Sequence, residues 1–322
     1  MDKNIVENYF NENATRWVAD SYGNEEYKYP IGLHRMRITA DIINENFKSK
    51  KINSIDIGCG GGNLCLLLAE LGHNMTGIDL SKEMINLSKE KLSQLSPDVA
   101  SRVRFMNCDF MDEGLQEEYF DAISALGVIG YQNDEDSFFN SIRRLLKPKG
   151  ILIVSCRNRL FNMTSLTPYT IKEIENGSAV DLINEIEELY CSIPESMSAE
   201  FIKNIETTIS VISKRPDVIS NKENNAKSIK PGRSGIKFAD LTSMNPSQHT
   251  PKQLTEIAKR HGLTNVGYRG VHPHLFIPKL NYLLPPKVFN ALSDSLNSFE
   301  KLPVSLIWSS CFIGVFKKES NI

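Results

Sequence analysis

The chain is predicted to form an α/β fold, a doubly wound sheet covered by helices, and three features of its sequence carry that expectation. Ile52, Ile55 and Ile57 make a short β-branched run that ends in four glycines within five positions, Gly58, Gly60, Gly61 and Gly62, and an apolar run from Leu64 to Leu68 follows at once. That order reads as strand, tight turn and helix, the opening of a βαβ unit. After Gly72 a second run, Asn74 to Ile78, ends in an acid, Asp79, about 20 residues beyond the first glycine. Short strand-like and helix-like stretches then keep alternating as far as Cys156, which calls for a parallel sheet with right-handed crossovers.

The elements follow in order. Residues 1–50 precede the first strand and read as an amino-terminal helical cap, with Leu33, Met36, Ala40, Ile43 and Phe47 at helical spacing. Residues 51–157 form the alternating core. Ser81 is placed to cap the helix that carries Met84, Ile85 and Leu92, Val103–Met106 reads as a third strand, and Phe120–Leu126 as a fourth. Leu145 to Gly150 is a turn signal before a fifth strand, Ile151–Ser155. Residues 158–247 depart from a minimal core and read as a helical insertion, with helices at Val180–Tyr190 and around Phe201–Ile212 and a polar stretch from Lys214 to Met244. Core order returns over 248–322. There Thr250, Pro251 and Gln253 make a capping box, Gly262 ends the helix, Val266–Val271 reads as a sixth strand, and Val304–Phe316 as a last one.

The glycine pattern discriminates between two ligand classes. A dinucleotide fingerprint would need glycine at position 63, where this chain has Asn63, and the first strand carries an acid, Asp56, two residues before Gly58. The segment Asp56-Ile57-Gly58-Cys59-Gly60-Gly61-Gly62 resembles the first motif of class I S-adenosylmethionine-dependent methyltransferases, and four further places in the core continue the resemblance in order. The resemblance implies a seven-stranded Rossmann-like sheet with the last strand antiparallel, S-adenosylmethionine as cofactor and S-adenosylhomocysteine as product. It further implies that Gly58, Gly60 and Gly62 face the methionine end, with Asp56 and Cys59 beside them. Asp79 and Leu80 would meet the ribose, Asp109 and Phe110 the adenine, and Leu126 and Gly127 would lie beneath the methionine part.

The acceptor side is less determined. Tyr9, Trp17 and Tyr22 in the amino-terminal cap and Tyr131 after the fourth strand are candidates for the acceptor pocket, with core packing as the alternative for the aromatic residues. Arg157 and Arg233, with Arg159, Lys230 and Lys237, are placed to gather around an anionic acceptor or to form a solvated face. For a hydroxyl acceptor His249, His272 and His274 are the candidate bases. His272-Pro273-His274 offers only two ligands, so no metal is expected. The stretch Leu126 to Tyr131 lacks the Asn-Pro-Pro-Tyr or Asp-Pro-Pro-Tyr tetrad of enzymes that methylate adenine or glutamine nitrogen, and it lacks the histidine that many relatives place near Tyr131. Arg157 to Asn162 with Tyr169 and Thr170 resembles bacterial methyltransferases of surface-polysaccharide and secondary-metabolite pathways, which implies a sugar or lipid-linked small acceptor methylated at oxygen.

Composition narrows the classes. At 322 residues, 41% hydrophobic and a formal net charge of −2, the chain has enough apolar content for a sizeable core and no global attraction for nucleic acid. The six cysteines are scattered without a C-x-x-C pair, the beginning of the chain has no apolar h-region, and no run of 18 apolar residues occurs, so a cytoplasmic protein without a membrane span is expected. An RNA methyltransferase and a non-catalytic scaffold of the same fold are the competing readings, disfavoured respectively by charge and by the intact glycines with Asp79 and Asp109.

Overall fold

Seven strands in the order β3-β2-β1-β4-β5-β7-β6 carry the structure among the described residues. The computed structural model describes residues 2–23, 29–48, 50–111, 114–191, 246–281 and 283–319, with isolated positions between 202 and 210. β1 (Asn53–Ile57), β2 (Asn74–Asp79), β3 (Val103–Asn107), β4 (Phe120–Leu126) and β5 (Leu146–Arg157) run parallel to one another. β7 (Ser309–Lys318) inserts antiparallel between β5 and β6 (Leu263–Pro273). The sheet is therefore mixed, and the carboxyl ends of β1 to β6 share one edge, where open α/β folds bind ligands.

Two apolar layers bury the sheet. On one face Ile55, Ile57, Ile123 and Val154 pack with Phe138, Phe139 and Ile142 of α6 (Glu135–Leu145) and with Leu254 of α10 (Pro251–Arg260). On the other, Ile151, Ile153 and Ile313 pack with Ile42 and Ile43 of α2 (Ile31–Phe47) and with Leu64 and Leu68 of α3 (Asn63–Glu70). Strands covered on both faces read as near-continuous apolar runs, which is why Ile151 to Val154 shows no alternation.

The amino-terminal region forms two helices, α1 (Lys3–Tyr22) and α2, where periodicity alone points only to the second. Asp2 caps α1 by accepting the Asn4 amide. α4 (Lys82–Leu92) begins under Ser81, whose hydroxyl accepts the Met84 amide, and α10 begins with the reciprocal Thr250 and Gln253 box. β7 starts later than its apolar run suggests, because residues after Pro303 first form a helical turn, Ser305–Trp308, and proline favours a helix start. The helix expected from Val180 to Tyr190 spans Ala179–Cys191 as α9, behind α7 (Phe161–Ser165) and α8 (Pro168–Glu175). Most of the helix expected around Phe201–Ile212 and all of Lys214–Met244 lie outside the described residues. No helix among the described residues is long and apolar enough to cross a membrane.

One buried acid sits inside the sheet. Asp56 lies in register with Gly77 on one side and Ser124 on the other, is 4% exposed, and accepts a 2.6 Å hydrogen bond from the Ser124 hydroxyl. Burial pushes its carboxyl up to about 7, the Ser124 bond pulls the other way, and nearby Asp79 adds to the rise. Unfolded, the group titrates near 3.8, so between about 4 and 7 the folded chain keeps a proton that the unfolded chain has lost. Its contribution to stability therefore falls as pH rises through that window and is flat above it. Asp56→Asn keeps an acceptor for Ser124 and removes the titration. Thermal unfolding from pH 4 to 8 is expected to show the variant gaining on the parent as pH climbs to about 7; parallel profiles would contradict the assignment.

Candidate functional site

The site grows from the turn between β1 and α3. Gly58 has φ +68°, and a Cβ there would stand 2.5 Å from Cγ2 of Val128. Gly62 has φ +77°, with Phe105 Cζ and Ser88 Cβ 2.6 and 2.7 Å from a Cβ position. Only glycine meets both conditions, backbone sign and space. The loop is then tied down from three sides. The Cys59 amide donates to the Ile78 carbonyl at 2.9 Å, Lys91 Nζ donates to the Gly61 carbonyl at 3.0 Å and to Asn63 Oδ1 at 2.6 Å, and the Gly60 amide donates to Asp79 Oδ2 at 2.8 Å.

Asp79 ends β2 and uses its other oxygen, Oδ1, to accept the Ser81 amide at 2.8 Å. Burial raises its pKa, and the two backbone amides oppose the rise. A carboxylate offers about four lone-pair positions, so two backbone bonds leave room for two hydroxyl donors from a ligand.

A cavity of about 540 Å³ opens above this turn, within the roughly 300–1,000 Å³ of small-molecule sites. Its walls come from the carboxyl ends of β1, β2 and β4, from the loop after β3, from the start of α6 and from one face of α1. Of the residues singled out by sequence, Gly58, Gly60, Asp79, Leu80, Asp109, Phe110, Leu126 and Gly127 line it, as do Trp17 and Tyr131. Asp109 sits across from Asp79; its Oδ1 accepts the Met111 amide at 3.0 Å, and its Oδ2 takes Lys3 of α1 in an ion pair. Glu7, Asp79, Asp109 and Asp134 give the wall four carboxylates against the single ammonium of Lys3. The field inside therefore favours a ligand with a positive centre.

The structure does not bring the remaining expected residues to the cavity. Asp56 is held inside the sheet by Ser124, and Cys59 turns into the core behind the loop, 5% exposed. Tyr9 packs edge-on against Phe10, and Tyr22 packs against Trp17 beneath the cap, beside Asp56. Arg157 ends β5 opposite Cys311 and does not line the cavity itself, although its charge reaches the lining residue Tyr131. Arg159 is committed to Glu173 through a fork of bonds, Nε to Oε1 at 3.0 Å and Nη2 to Oε2 at 2.7 Å, so it is not available to an anionic acceptor. Arg233, Lys230 and Lys237 lie outside the described residues.

None of the three histidines lines the cavity. His249 is buried between Cys156 Sγ, 3.3 Å from Nδ1, and the Glu135 carboxylate, 2.9 Å from Nε2. His272 and His274 join Tyr29, His34 and Phe289 in an aromatic stack, with Tyr29 and His272 ring centroids 4.3 Å apart. Burial holds His274 down to about 4. Among the described residues no group of three or more metal-ligating side chains is arranged to hold an ion.

Sequence reasoning missed two contributions. α1 lays Lys3, Val6, Phe10 and Trp17 along one stripe of the cavity wall, a spacing of three, four and seven that a helical wheel would have grouped. Asn11 Oδ1 docks that helix by accepting the Ser81 hydroxyl at 2.8 Å. The second is Arg35, whose Nη1 comes 3.1 Å from where a Cβ on Gly127 would stand. Its Nε is buried without a hydrogen-bond partner among the described residues, and Nη2 lies 3.2 Å from Cys311 Sγ. The signal was an arginine three, four and seven positions before the buried Ile38, Thr39 and Ile42 on one helix face.

Comparison with known proteins now carries weight. A family described as "Methyltransferase domain" matches residues 48–228 of this chain. YqeM of Bacillus subtilis, named as a methyltransferase, is 35% identical over 31% of this chain and 40% of its own length. The ubiquinone biosynthesis O-methyltransferase of Bartonella quintana is 26% identical over 53% of this chain and 75% of its own. The chain thus spans well under half of the first relative and three quarters of the second. In fold it is similar to the magnesium protoporphyrin IX methyltransferase of Synechocystis PCC 6803 with bound S-adenosylhomocysteine, with a TM-score of 0.56, 13% identity, and coverage of 99% of this chain and all of that one. That likeness speaks to architecture alone. The chain belongs to the methyltransferase-domain family, within the class I S-adenosylmethionine-dependent methyltransferases.

Proposed function

We propose that the chain transfers a methyl group from S-adenosylmethionine to an oxygen of a small metabolite, held in the cavity that α1 covers. The observation that carries the reading is the Asp79 carboxylate. It is pinned by the Gly60 and Ser81 amides and presents its remaining lone pairs to a cavity whose floor is glycine.

The residues present fit the cofactor. The glycine cradle at Gly58 and Gly60 would be filled by any Cβ, Asp79 has acceptor capacity for two ribose hydroxyls, and Asp109 with Phe110 offers an acid and a ring to adenine. Arg35, with a buried donor lacking a partner, would hold the methionine carboxylate beside Gly127. When bound, the cofactor supplies an electrophilic methyl on a cationic sulfur. The carboxylates of the wall suit that charge, and Phe10, Trp17 and Tyr131 exclude water above it.

The protein's task is then orientation of the acceptor at near-attack distance. With Asp79 and Asp109 assigned and Asp134 committed to capping α6 through the Ser137 amide and hydroxyl, Glu7 is the cavity carboxylate that remains and the candidate to take a hydroxyl proton. This moves the base away from His249, which is engaged on both ring nitrogens, and from His272 and His274 in their stack. Oxygen as the acceptor atom is supported by the absent tetrad after β4 and by the relative named as an O-methyltransferase. A sugar, lipid-linked or secondary-metabolite acceptor in a bacterial cytoplasm remains the class to screen first, and nucleic acid the class to screen last.

Asp79→Ala is expected to weaken S-adenosylmethionine binding by tens of fold or more in titration calorimetry, since charge-assisted hydrogen bonds of about 1.5–3 kcal/mol each are lost. Unchanged affinity would remove the ribose assignment. Arg35→Met is expected to cost at least about tenfold for S-adenosylmethionine and to leave 5′-methylthioadenosine, which lacks the carboxylate, bound as before. Equal losses for both ligands would make Arg35 a packing residue. Turnover is read as conversion of S-adenosylmethionine to S-adenosylhomocysteine across a panel of hydroxylated acceptors, with one methyl gained by the acceptor.

A further inference from the structure

The loop between β6 and α12 (Pro286–Leu296), which contains the short helical turn α11 (Pro278–Asn281), carries apolar surface that the folded core does not use. Leu275, Phe276, Leu280 and Leu283 are 43, 43, 48 and 73% exposed, within nine consecutive positions. Large apolar side chains exposed together mark an interaction surface.

Their exposure is built in. Asn281, 7% exposed, donates from Nδ2 to the Phe276 carbonyl at 2.6 Å and meets His274 Nδ1 at 2.9 Å. The Leu280 and Asn281 amides both donate to the Ile277 carbonyl, and the Leu283 amide donates to that of Leu280. The His274 amide fixes the root by donating to the Trp308 carbonyl at 3.0 Å. A loop closed around a buried asparagine holds Leu275, Phe276, Leu280 and Leu283 outward, while Ile277 and Leu284 are half-buried.

Charge identifies the occupant. Between Glu256 and Asp294 the sequence contains five basic residues and no acidic one. Two of the five, Lys279 and Lys287, are exposed on this loop and at the start of α12. Asp294, the first acid after it, faces His34 Nε2 at 3.4 Å. A second exposed apolar surface among the described residues, Ile171, Ile174, Val180 and Ile183 on α8 and α9, carries Glu175, Asp181 and Glu185 against the single Lys172 and would be repelled by negative charge. Apolar anchors with Lys279 among them and Lys287 just beyond, and no acidic residue between Glu256 and Asp294 in the sequence, match the boundary between headgroups and acyl chains of an anionic bilayer. The loop leaves β6 at the same sheet edge that carries the cavity.

We propose that Leu275, Phe276, Leu280 and Leu283, with Lys279, dock the protein reversibly on anionic lipid bilayers, a property independent of which acceptor the cavity takes. The test is co-sedimentation of the full chain with vesicles of phosphatidylcholine alone or of equimolar phosphatidylcholine and phosphatidylglycerol, at low and high salt. The chain is expected to pellet with the mixed vesicles at low salt and to remain in solution with phosphatidylcholine. Phe276→Ser is expected to lower the partition coefficient roughly tenfold, and Lys279→Glu by about tenfold or more. Both variants are expected to bind S-adenosylmethionine as the parent does, which shows them folded. No pelleting with the mixed vesicles, equal pelleting with both compositions, or equal partition of parent and variants would each overturn the proposal. So would absence of vesicle binding together with a concentration-dependent rise in mass that Phe276→Ser abolishes, which assigns the patch to a second copy of the chain.

Discussion

Everything at the cavity depends on one carboxylate bridging two backbone segments. Asp79 closes β2, receives the Gly60 amide from the loop after β1 at 2.8 Å, and receives the Ser81 amide at the head of α4 at the same distance. Without it the glycine turn has no fixed height over the sheet, because glycines that admit a ligand also admit many conformations. A buried acid is costly alone, and those two amides offset part of the cost that burial imposes on its charged form. The price of a floor made of backbone is thus a half-satisfied carboxyl group left facing the cavity.

That constraint propagates outward. A wall rich in carboxylates needs a counter-charge when no ligand is present, and Lys3 of α1 supplies it at Asp109. α1 therefore borders the cavity with its ion pair at one end and Trp17 beside Gly60 at the other. The lysine of that pair is exposed, so the pair is worth little in energy. Arg35 is of a different kind: its buried Nε has no hydrogen-bond partner among the described residues, which costs stability unless an acceptor arrives, and that cost is the ground for proposing it as a binding residue.

How much of this the residues announced follows from the range of each interaction. The glycine turn, Asp79 and the caps at Ser81 and Thr250 are local patterns within a few positions, and they were legible. His249 looked like a free loop histidine because the groups that enclose it, Cys156 and Glu135, are 93 and 114 residues away in sequence. Arg159 looked free for an anion for a similar reason, since Glu173 reaches it only once α7 and α8 fold back together. Tyr22 and Trp17 are neighbours on α1, but only the helix's rotation about its axis decides which faces the cavity, and that is fixed by Asn11 on Ser81. The turn after Pro303 shows the opposite failure, with local proline geometry prevailing over an apolar run that reads as strand.

Titration calorimetry of the chain with S-adenosylmethionine and, separately, with NAD tests the central claim most directly. Asn63 in place of a third fingerprint glycine, together with a cavity lined by acids, predicts binding of S-adenosylmethionine and S-adenosylhomocysteine in the micromolar range and no heat with NAD. Binding of NAD, or of neither ligand, would contradict it.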